Sequence, residues 1–298
     1  MKRSLMVALS LFFAACGSSS TSPNSTTATP TPTSTTFSTL TFTSTVTAAP
    51  VSGARVVVAG NTYTTNSDGV ITLSPSAGTG ATVDAFASGF LDRATILGTA
   101  TTLTLWEIPA GTDANFVRQL AYNRGGTPEV LWRPTAAAIY LRLVGDLASD
   151  PQVRAAHVRA AAMATAMTGG KVTVVLGDPV GAGVVVTLLI NAANQGTATF
   201  LTQSGGAISL ARVEYSNVAG ARDPRVVAHE LGHVLGFGHA PSGLMCPNAC
   251  GADDFSPTDQ SVYLSMLQRR PGTAPPDNDR ALGARSEGSV SVFTCDVR

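Results

Sequence analysis

The chain has 298 residues, of which 13% are charged, and its formal net charge at pH 7 is zero. Nothing in this composition indicates the basic face that nucleic-acid binding normally shows, so no nucleic-acid partner is expected. The length suffices for one or two domains with buried cores and for extensions beyond them.

Residues 1–15 have the pattern of an export signal. Two basic residues precede an apolar run at positions 5–15, and this run is too short for a bilayer-spanning helix, which needs roughly 20 residues. The run ends in Phe13-Ala14-Ala15-Cys16, which resembles the bacterial lipobox. The resemblance implies cleavage before Cys16, acylation of its sulfur and membrane attachment through the lipid. Ordinary signal cleavage near Ala15 is the alternative.

The residue after that cysteine, Gly17, resembles the sorting position of Gram-negative lipoproteins and implies the outer membrane, with a periplasmic or secreted location as the alternative. If Cys16 carries lipid, three cysteines remain, so at most one intramolecular disulfide can form in an oxidising compartment. Cys246 and Cys250 are closest in sequence, but Cys295 can reach either of them. The pairing stays open at this point.

Residues 16–37 consist almost wholly of Ser, Thr, Pro, Ala and Gly. Such a stretch lacks the apolar side chains whose burial offsets the entropy lost when a chain is ordered. We therefore expect a flexible tether between the lipidated cysteine and the folded part of the chain.

Residues 38–108 have the spacing of a small all-β domain. Seven short runs of alternating and β-branched residues predict strands at 39–43, 54–58, 62–65, 70–73, 81–86, 93–97 and 103–108. Turn residues such as Ser67-Asp68-Gly69 separate them, as in a β-sandwich. The segments 53–58 and 65–69 resemble the carboxypeptidase regulatory-like domain, which implies a transthyretin-like sandwich. Its expected role is that of a spacer or a protein-interaction module.

Residues 109–298 change to a mixed α/β (α+β) pattern. Strands are predicted at 136–143, 172–176, 184–190 and 208–215. Two helices are predicted to begin where an aspartate cap precedes proline, at Asp150-Pro151 and at Asp223-Pro224. A third is predicted near Ser256, where the sequence approximates a capping box.

Several residues in this part could suggest additional sites, but each has a simpler interpretation. His157 is expected to be an ordinary packed or surface histidine, and Met163 and Met167 are expected to pack in the core. Asp253-Asp254 and Asp277-Asn278-Asp279 are the candidates for Ca2+, but neither group has a recognisable calcium-loop pattern. Calcium is therefore unsupported, and solvated loop acids are expected.

The chemistry-bearing residues lie on the second predicted helix, in His229-Glu230-Leu231-Gly232-His233-Val234-Leu235-Gly236-Phe237-Gly238-His239. Residues four apart share one helix face, so His229 and His233 can converge on one ion. Zinc prefers nitrogen ligands in a tetrahedral arrangement, and a catalytic site leaves one of the four positions to water. A third protein ligand must therefore come from beyond this helix.

Gly236 explains how His239 can become that third ligand. Glycine adopts positive φ at little cost, so it can end the helix and turn the chain back. The turn would bring His239 beside His229 and His233 and leave the fourth position open. Glu230 follows the first ligand, so its carboxylate is expected beside the metal, where it can take a proton from the activated water and pass it to a leaving amine.

The segment from His229 to His239, followed by Ser242-Gly243-Leu244-Met245-Cys246-Pro247, resembles the metzincin clan of zinc metalloproteases and most closely its matrixin branch. The resemblance implies one catalytic Zn2+ and endopeptidase activity on extracytoplasmic protein or peptide substrates. It also implies that Met245 forms a hydrophobic floor beneath the metal, and that an edge strand binds the substrate in extended form. The candidate for this strand by position is 208–215. The interval from His239 to Met245 is short for the family, so the connecting loop must be tight.

Two other interpretations remain open. A structural zinc site would need a fourth protein ligand, for which Cys246 or Cys250 is available. A non-enzymatic surface or adhesion lipoprotein would carry a vestigial or structural zinc site. The expected architecture is multi-domain, with a small all-β sandwich followed by a metzincin-type α/β catalytic domain. The oligomeric state stays unknown.

The lipid anchor is tested by the substitution Cys16→Ser. Because the variant lacks the sulfur that acylation requires, we expect it in the soluble fraction, whereas the parent chain sediments with membranes. Cell fractionation followed by immunoblotting measures the distribution. Unchanged membrane association of the variant would contradict the anchor.

Overall fold

The structure is a computed structural model. It describes residues 35–124, 127–128, 130–191, 197–247, 252–280 and 282, with the backbone alone at 123–124, 127–128 and 197–204. The predicted signal peptide at 1–15, Cys16, nearly all of the predicted tether, Cys250 and Cys295 lie outside these residues. The described residues belong to one compact unit, in which two hydrophobic cores can be distinguished.

The N-terminal β region, residues 36–105, contains the seven predicted strands, which confirms that part of the sequence analysis. They are β1 (Thr36–Ser44), β2 (Arg55–Val58), β3 (Asn61–Thr64), β4 (Val70–Gly78), β5 (Thr82–Phe86), β6 (Arg93–Ile96) and β7 (Thr102–Leu105). They form two sheets, with the strand orders β4-β1-β7 and β3-β2-β5-β6. Alternate residues of both sheets, among them Leu40, Val56, Ile71 and Val83, are buried in one shared core.

The α/β region follows, and its elements run from residue 114 to residue 267. They are α1 (Ala114–Tyr122), β8 (Asn123–Arg124), β9 (Thr127–Pro128), β10 (Arg133–Pro134), β11 (Ala138–Leu143), α2 (Asp146–Ser149), α3 (Pro151–Met167), β12 (Thr173–Leu176), β13 (Val184–Ile190), β14 (Thr197–Ser204), β15 (Ala207–Tyr215), α4 (Val218–Arg222), α5 (Pro224–Leu235) and α6 (Pro257–Leu267). The four predicted strands and three predicted helices are all present. The short helices α1, α2 and α4 and the strands β8, β9, β10 and β14 were not predicted.

The central sheet of this region has the order β10-β15-β13-β11-β12, and all of these neighbours pair in parallel. Helices α3 and α5 pack against each other. Val153 and Ala164 of α3, Leu231 of α5, and Val186 and Val213 of the sheet are buried in the second core. Packing against α3 and the sheet therefore fixes the position and direction of α5, the helix that carries the histidine motif.

The predicted helix caps are confirmed. The Asp150 side chain accepts hydrogen bonds from the backbone N–H groups of Gln152 and Val153, at 2.8 Å and 3.1 Å. At the start of α6, Ser256 and Asp259 form a reciprocal capping box. None of the described helices is both long and apolar enough to cross a membrane.

The position of the sheet edge differs from the prediction. The strand proposed as the edge, residues 208–215, corresponds to β15, which pairs with β13 on one side and with antiparallel β14 on the other. The prediction was wrong because the chain reverses at Gly205-Gly206, where both glycines have positive φ, and folds residues 197–204 back along β15. The edge of the described sheet on this side is therefore β14.

A buried network of ion pairs joins the β region to the α/β region. Arg93 of β6 donates to Asp277 at 2.8 Å and to Asp279 at 2.6 Å. Arg269 donates to both carboxylate oxygens of Asp277, at 2.7 Å and 2.8 Å. The Arg269 guanidinium also donates to the backbone carbonyl of Thr104 in β7 at 2.9 Å. Since the Asp277 side chain is fully buried, this network is part of the interior.

Backbone pairing reinforces this junction. The N–H of Ala94 donates to the carbonyl of Asp277 at 3.0 Å, and the N–H of Asp279 donates to the carbonyl of Ala94 at 3.1 Å. The segment after α6 thus runs beside β6. The expectation that Asp277-Asn278-Asp279 would be solvated loop acids is wrong for Asp277, because this return of the chain buries it between two arginines; Asp253-Asp254 are exposed, as expected.

We predict that Asp277→Asn lowers the free energy of unfolding by about 3–5 kcal/mol, because it removes the buried carboxylate that Arg93 and Arg269 share and leaves Arg269 without its counter-charge. Urea titration of the purified chain measures this change. The matched control is Asp178→Asn, whose carboxylate is 86% exposed and lies 3.7 Å from Arg142. This control should leave the free energy nearly unchanged because an exposed pair is screened by solvent. Similar losses in both variants would contradict a structural role for the buried network.

Candidate metal centre

Helix α5 carries the first two histidines of the motif. Pro224 occupies its first turn, and the side chain of Asp223 caps it by accepting the N–H of Arg225 at 2.9 Å. The helix runs through the interior, so His229 is 4% exposed and His233 is fully buried. One helical turn separates the two imidazoles, whose ring centroids lie 4.9 Å apart.

The helix ends at Gly236, which has φ 106° and ψ 5°. The N–H groups of Gly236 and Phe237 donate to the carbonyls of His233 and Gly232, each at 2.9 Å, and so satisfy carbonyls of the last turn. A Cβ atom at Gly236 would overlap the carbonyl oxygen of Trp132. Both the positive φ and this close approach therefore require glycine.

A second contact holds the chain beyond the turn. The N–H of Gly238 donates to the carbonyl of Leu120 in α1 at 2.6 Å. The chain is thus bound to α1 immediately before His239. This helix was not predicted, although it supports the third histidine of the motif.

The three imidazoles meet, as predicted. The ring of His239 lies 5.5 Å from that of His229 and 4.8 Å from that of His233, measured between centroids. One ligand nitrogen from each residue lies within 4.8 Å of the other two, which is close enough for the three to hold one metal ion. Among the described residues no other such group of three histidine, cysteine or carboxylate side chains is found.

Backbone carbonyls orient the two helical histidines. Nδ1 of His229 lies 2.6 Å from the carbonyl oxygen of Leu244, and Nδ1 of His233 lies 2.8 Å from that of Phe237. A carbonyl oxygen can only accept, so each Nδ1 carries the hydrogen and each Nε2 keeps its lone pair. Such outer hydrogen bonds fix both the tautomer and the ring orientation of metal-binding histidines.

The surroundings also disfavour the charged forms of His229 and His239. Burial lowers the pKa of His229 below its ordinary value. Burial, followed by the proximity of His229, lowers the pKa of His239 to about 4. Neutral imidazoles at neutral pH can donate a lone pair to a cation without first losing a proton.

Met245 lies against the helix that carries the ligands. It is fully buried, and a Cβ atom at Gly232 would overlap its sulfur, so the Met245 side chain occupies the space that this glycine leaves. The carbonyl of Met245 accepts the N–H of Ala240 at 3.0 Å, which closes the segment from His239 to Met245 into the tight loop expected from its length.

Glu230 lies between His229 and His233 in the sequence of α5, and its side chain is fully buried. Burial and then the charge of Glu230 raise the pKa of Tyr215 well above its ordinary value, so this phenol keeps its proton.

Tyr215 lies within hydrogen-bonding distance of His157 Nε2, at 3.1 Å. Because His157 Nδ1 faces the carbonyl of Val153 at 2.8 Å, it carries the hydrogen, and Nε2 accepts from the phenol. His157 is therefore a packed histidine, as expected, and Met163 and Met167 are buried core residues.

Cys246, one candidate for a fourth ligand in a structural zinc site, is disulfide-bonded. A sulfur in a disulfide has no thiolate to give to a metal. The other candidate, Cys250, lies outside the described residues. The interpretation as a structural zinc site therefore loses Cys246, the candidate fourth ligand that is nearer to His239 in the sequence.

No known protein family and no curated protein matches this chain.

We predict that Gly236→Ala disrupts both the fold and metal binding. Beyond the roughly 1–2 kcal/mol that positive φ costs an ordinary residue, the new Cβ would displace the Trp132 backbone. We expect a larger loss of stability than this strain alone causes and less than one metal ion per chain after purification. Chemical denaturation and elemental analysis measure the two effects.

The matched control is Gly80→Ala. Gly80 also has positive φ, +89°, but nothing lies within 4 Å of the position of a Cβ atom. This control should lose only the strain energy and keep its metal. Equal losses of stability and full metal content in both variants would contradict the role assigned to the turn at Gly236.

Proposed function

We propose that the chain is a zinc-dependent endopeptidase of the matrixin-like metzincin type, acting on extracytoplasmic protein or peptide substrates. The observation that carries this proposal is the convergence of His229, His233 and His239. A buried carboxylate, Glu230, follows the first of them on the same helix. A mixed sheet with an antiparallel edge strand beside α5 is compatible with this assignment.

The donor set suits zinc. All three side chains offer imidazole nitrogen, two of them with the Nδ1–H group held by a carbonyl, and zinc favours such nitrogen ligands. Three protein ligands leave a position for solvent, which is typical of catalytic sites. When bound there, zinc polarises a carbonyl group and lowers the pKa of water.

The residues of the chain then have separate tasks. The backbone carbonyls of Leu244 and Phe237 orient the imidazoles of the two helical histidines. Met245 packs against α5 at Gly232. Glu230 accepts the proton of the attacking water and later donates it to the leaving amine nitrogen.

The substrate is proposed to bind along β14. This strand pairs with β15 on one side, and no described strand pairs with its other side. An extended peptide can add to such an edge through backbone hydrogen bonds, which bind many sequences with little dependence on side chains. A general endopeptidase site requires this kind of recognition.

The β region and the anchor complete the proposal. We propose that the β region is a transthyretin-like sandwich, and its two sheets of three and four strands around one core support this proposal. Export and lipid attachment at Cys16 are proposed from the sequence pattern alone, with the outer membrane as the location. The lipid would then hold the peptidase at the membrane while its substrates diffuse to it.

The decisive experiment compares the parent chain with Glu230→Gln. We expect about one zinc ion per chain in both proteins, because Glu230 is not a ligand in the proposed site. Turnover of a denatured protein substrate should fall by about 10²–10⁴-fold or more in the variant, since the base that moves the proton is lost. Elemental analysis and a fluorescent-casein assay measure the two quantities.

The matched control is Glu107→Gln, which alters a carboxylate that accepts a hydrogen bond from Ser44, far along the chain from the motif. It should retain both zinc and turnover. Retained turnover in Glu230→Gln would contradict the role of Glu230. A parent chain that binds zinc but cleaves no denatured protein would favour the non-enzymatic surface protein instead.

A further inference from the structure

The loop between the third histidine and Cys246 is short and supports the metal centre in two ways. Its residue Leu244 provides the carbonyl that orients His229, at 2.6 Å. Its next residue, Met245, fills the space beside Gly232 on α5. Displacement of this loop would therefore release one imidazole and remove the packing under the helix together.

Backbone hydrogen bonds within the loop are one of the restraints on it. Within it, the N–H of Ala240 donates to Met245 at 3.0 Å, and the N–H of Cys246 donates to Gly243 at 3.3 Å. Pro241 and Ser242 are exposed. Leu244 and Met245 are buried in the core, so side-chain packing restrains the loop together with these backbone bonds.

Cys246 supplies a covalent restraint at the end of the loop. It is 6% exposed and disulfide-bonded, and it directly follows Met245. The other three cysteines of the chain, Cys16, Cys250 and Cys295, lie outside the described residues. The proposed hydrolysis makes no use of this disulfide, so its place beside the metal centre needs another explanation.

We propose that the Cys246 disulfide is a positioning element for the metal: it holds the loop so that the Leu244 carbonyl stays on His229 and Met245 stays against α5. This inference rests on the proposed metal site. Cross-linking the loop end reduces the conformations available to the preceding residues, which favours the one conformation that orients the imidazole. Loss of such an outer hydrogen bond weakens metal binding by about 10–100-fold in comparable sites.

The two helical histidines provide an internal control. His233 is oriented by Phe237, at 2.8 Å, and this carbonyl lies in the helix-ending turn and not in the loop before Cys246. Loss of the disulfide should therefore loosen the Nδ1–H bond of His229 and leave that of His233 intact. General unfolding would affect both bonds alike.

The experiment uses the full chain and Zn2+ itself as the probe. Zinc affinity is measured by competition with a chromophoric chelator for the parent chain, Cys246→Ser, Cys250→Ser and Cys295→Ser. We expect the Kd for zinc to rise by about 10–100-fold in Cys246→Ser and in the variant of its partner. The remaining single variant is the matched control and should bind zinc like the parent. In a double variant, both cysteines of the disulfide are replaced by serine, so neither leaves a free thiol that could bind zinc. Its Kd for zinc should equal that of Cys246→Ser.

Two further measurements keep the test independent of activity. Imidazole nitrogen NMR of the metal-free chain should show faster exchange of the His229 Nδ1–H after loss of the disulfide, with the His233 signal unchanged. A phosphine reductant, which takes up oxygen from water as it converts the disulfide to two thiols, should produce the same change in the parent chain without any substitution.

The outcomes separate the two proposals. If zinc affinity and both imidazole signals are unchanged in Cys246→Ser, the positioning role is overturned and the proposed hydrolase stands. Simultaneous loss of both imidazole signals would show a general structural role and would also overturn it. If no form of the chain binds zinc, both the proposed function and this inference are overturned.

Discussion

The metal centre depends on one close approach, that of the Gly236 backbone to the carbonyl of Trp132. At this point α5 ends in a left-handed residue, which must be glycine because a side chain would overlap that oxygen. The left-handed turn then sends the chain back to His239. Without it, the helix would carry the third imidazole along its axis, by about 1.5 Å per residue, away from the other two. Ordinary helix-ending chemistry thus determines the number of available ligands.

Hydrogen bonds to backbone carbonyls then make these ligands usable. A neutral imidazole has two tautomers, and a metal can only bind the nitrogen that lacks the hydrogen. The carbonyls of Leu244 and Phe237 select the same tautomer for both helical histidines. Burial acts in the same direction by disfavouring the protonated ring. The site is therefore organised for a cation by geometry and solvation together.

The parts that sequence reasoning predicted are those with local signals. Alternation identified the strands of the β region, and capping residues identified α3, α5 and α6, while the spacing from His229 to His239 predicted the cluster. Backbone carbonyls have no sequence signature, so the partners of the imidazoles could not be anticipated. The choice of residues 208–215 as the edge strand was wrong, because the hairpin at Gly205-Gly206 places β14 beside β15. Whether a strand lies at the edge of a sheet depends on the strands that pair with it, and its own sequence does not show them. Asp277 was misjudged because Arg93, one of its partners, lies 184 residues away.

That long separation has a consequence for the order in which the chain matures. The β region leaves the ribosome before the α/β region, and one of its partners in space, Asp277, is made 184 residues after Arg93. Until Asp277 and Asp279 have been synthesised, Arg93 lacks the two carboxylates with which it pairs. Ala94 of β6 likewise lacks the backbone groups of these two residues, to which it is hydrogen-bonded in the folded chain. The β region is therefore completed only after the α/β region that follows it has been made, and a chain truncated before residue 277 would leave β6 without these contacts.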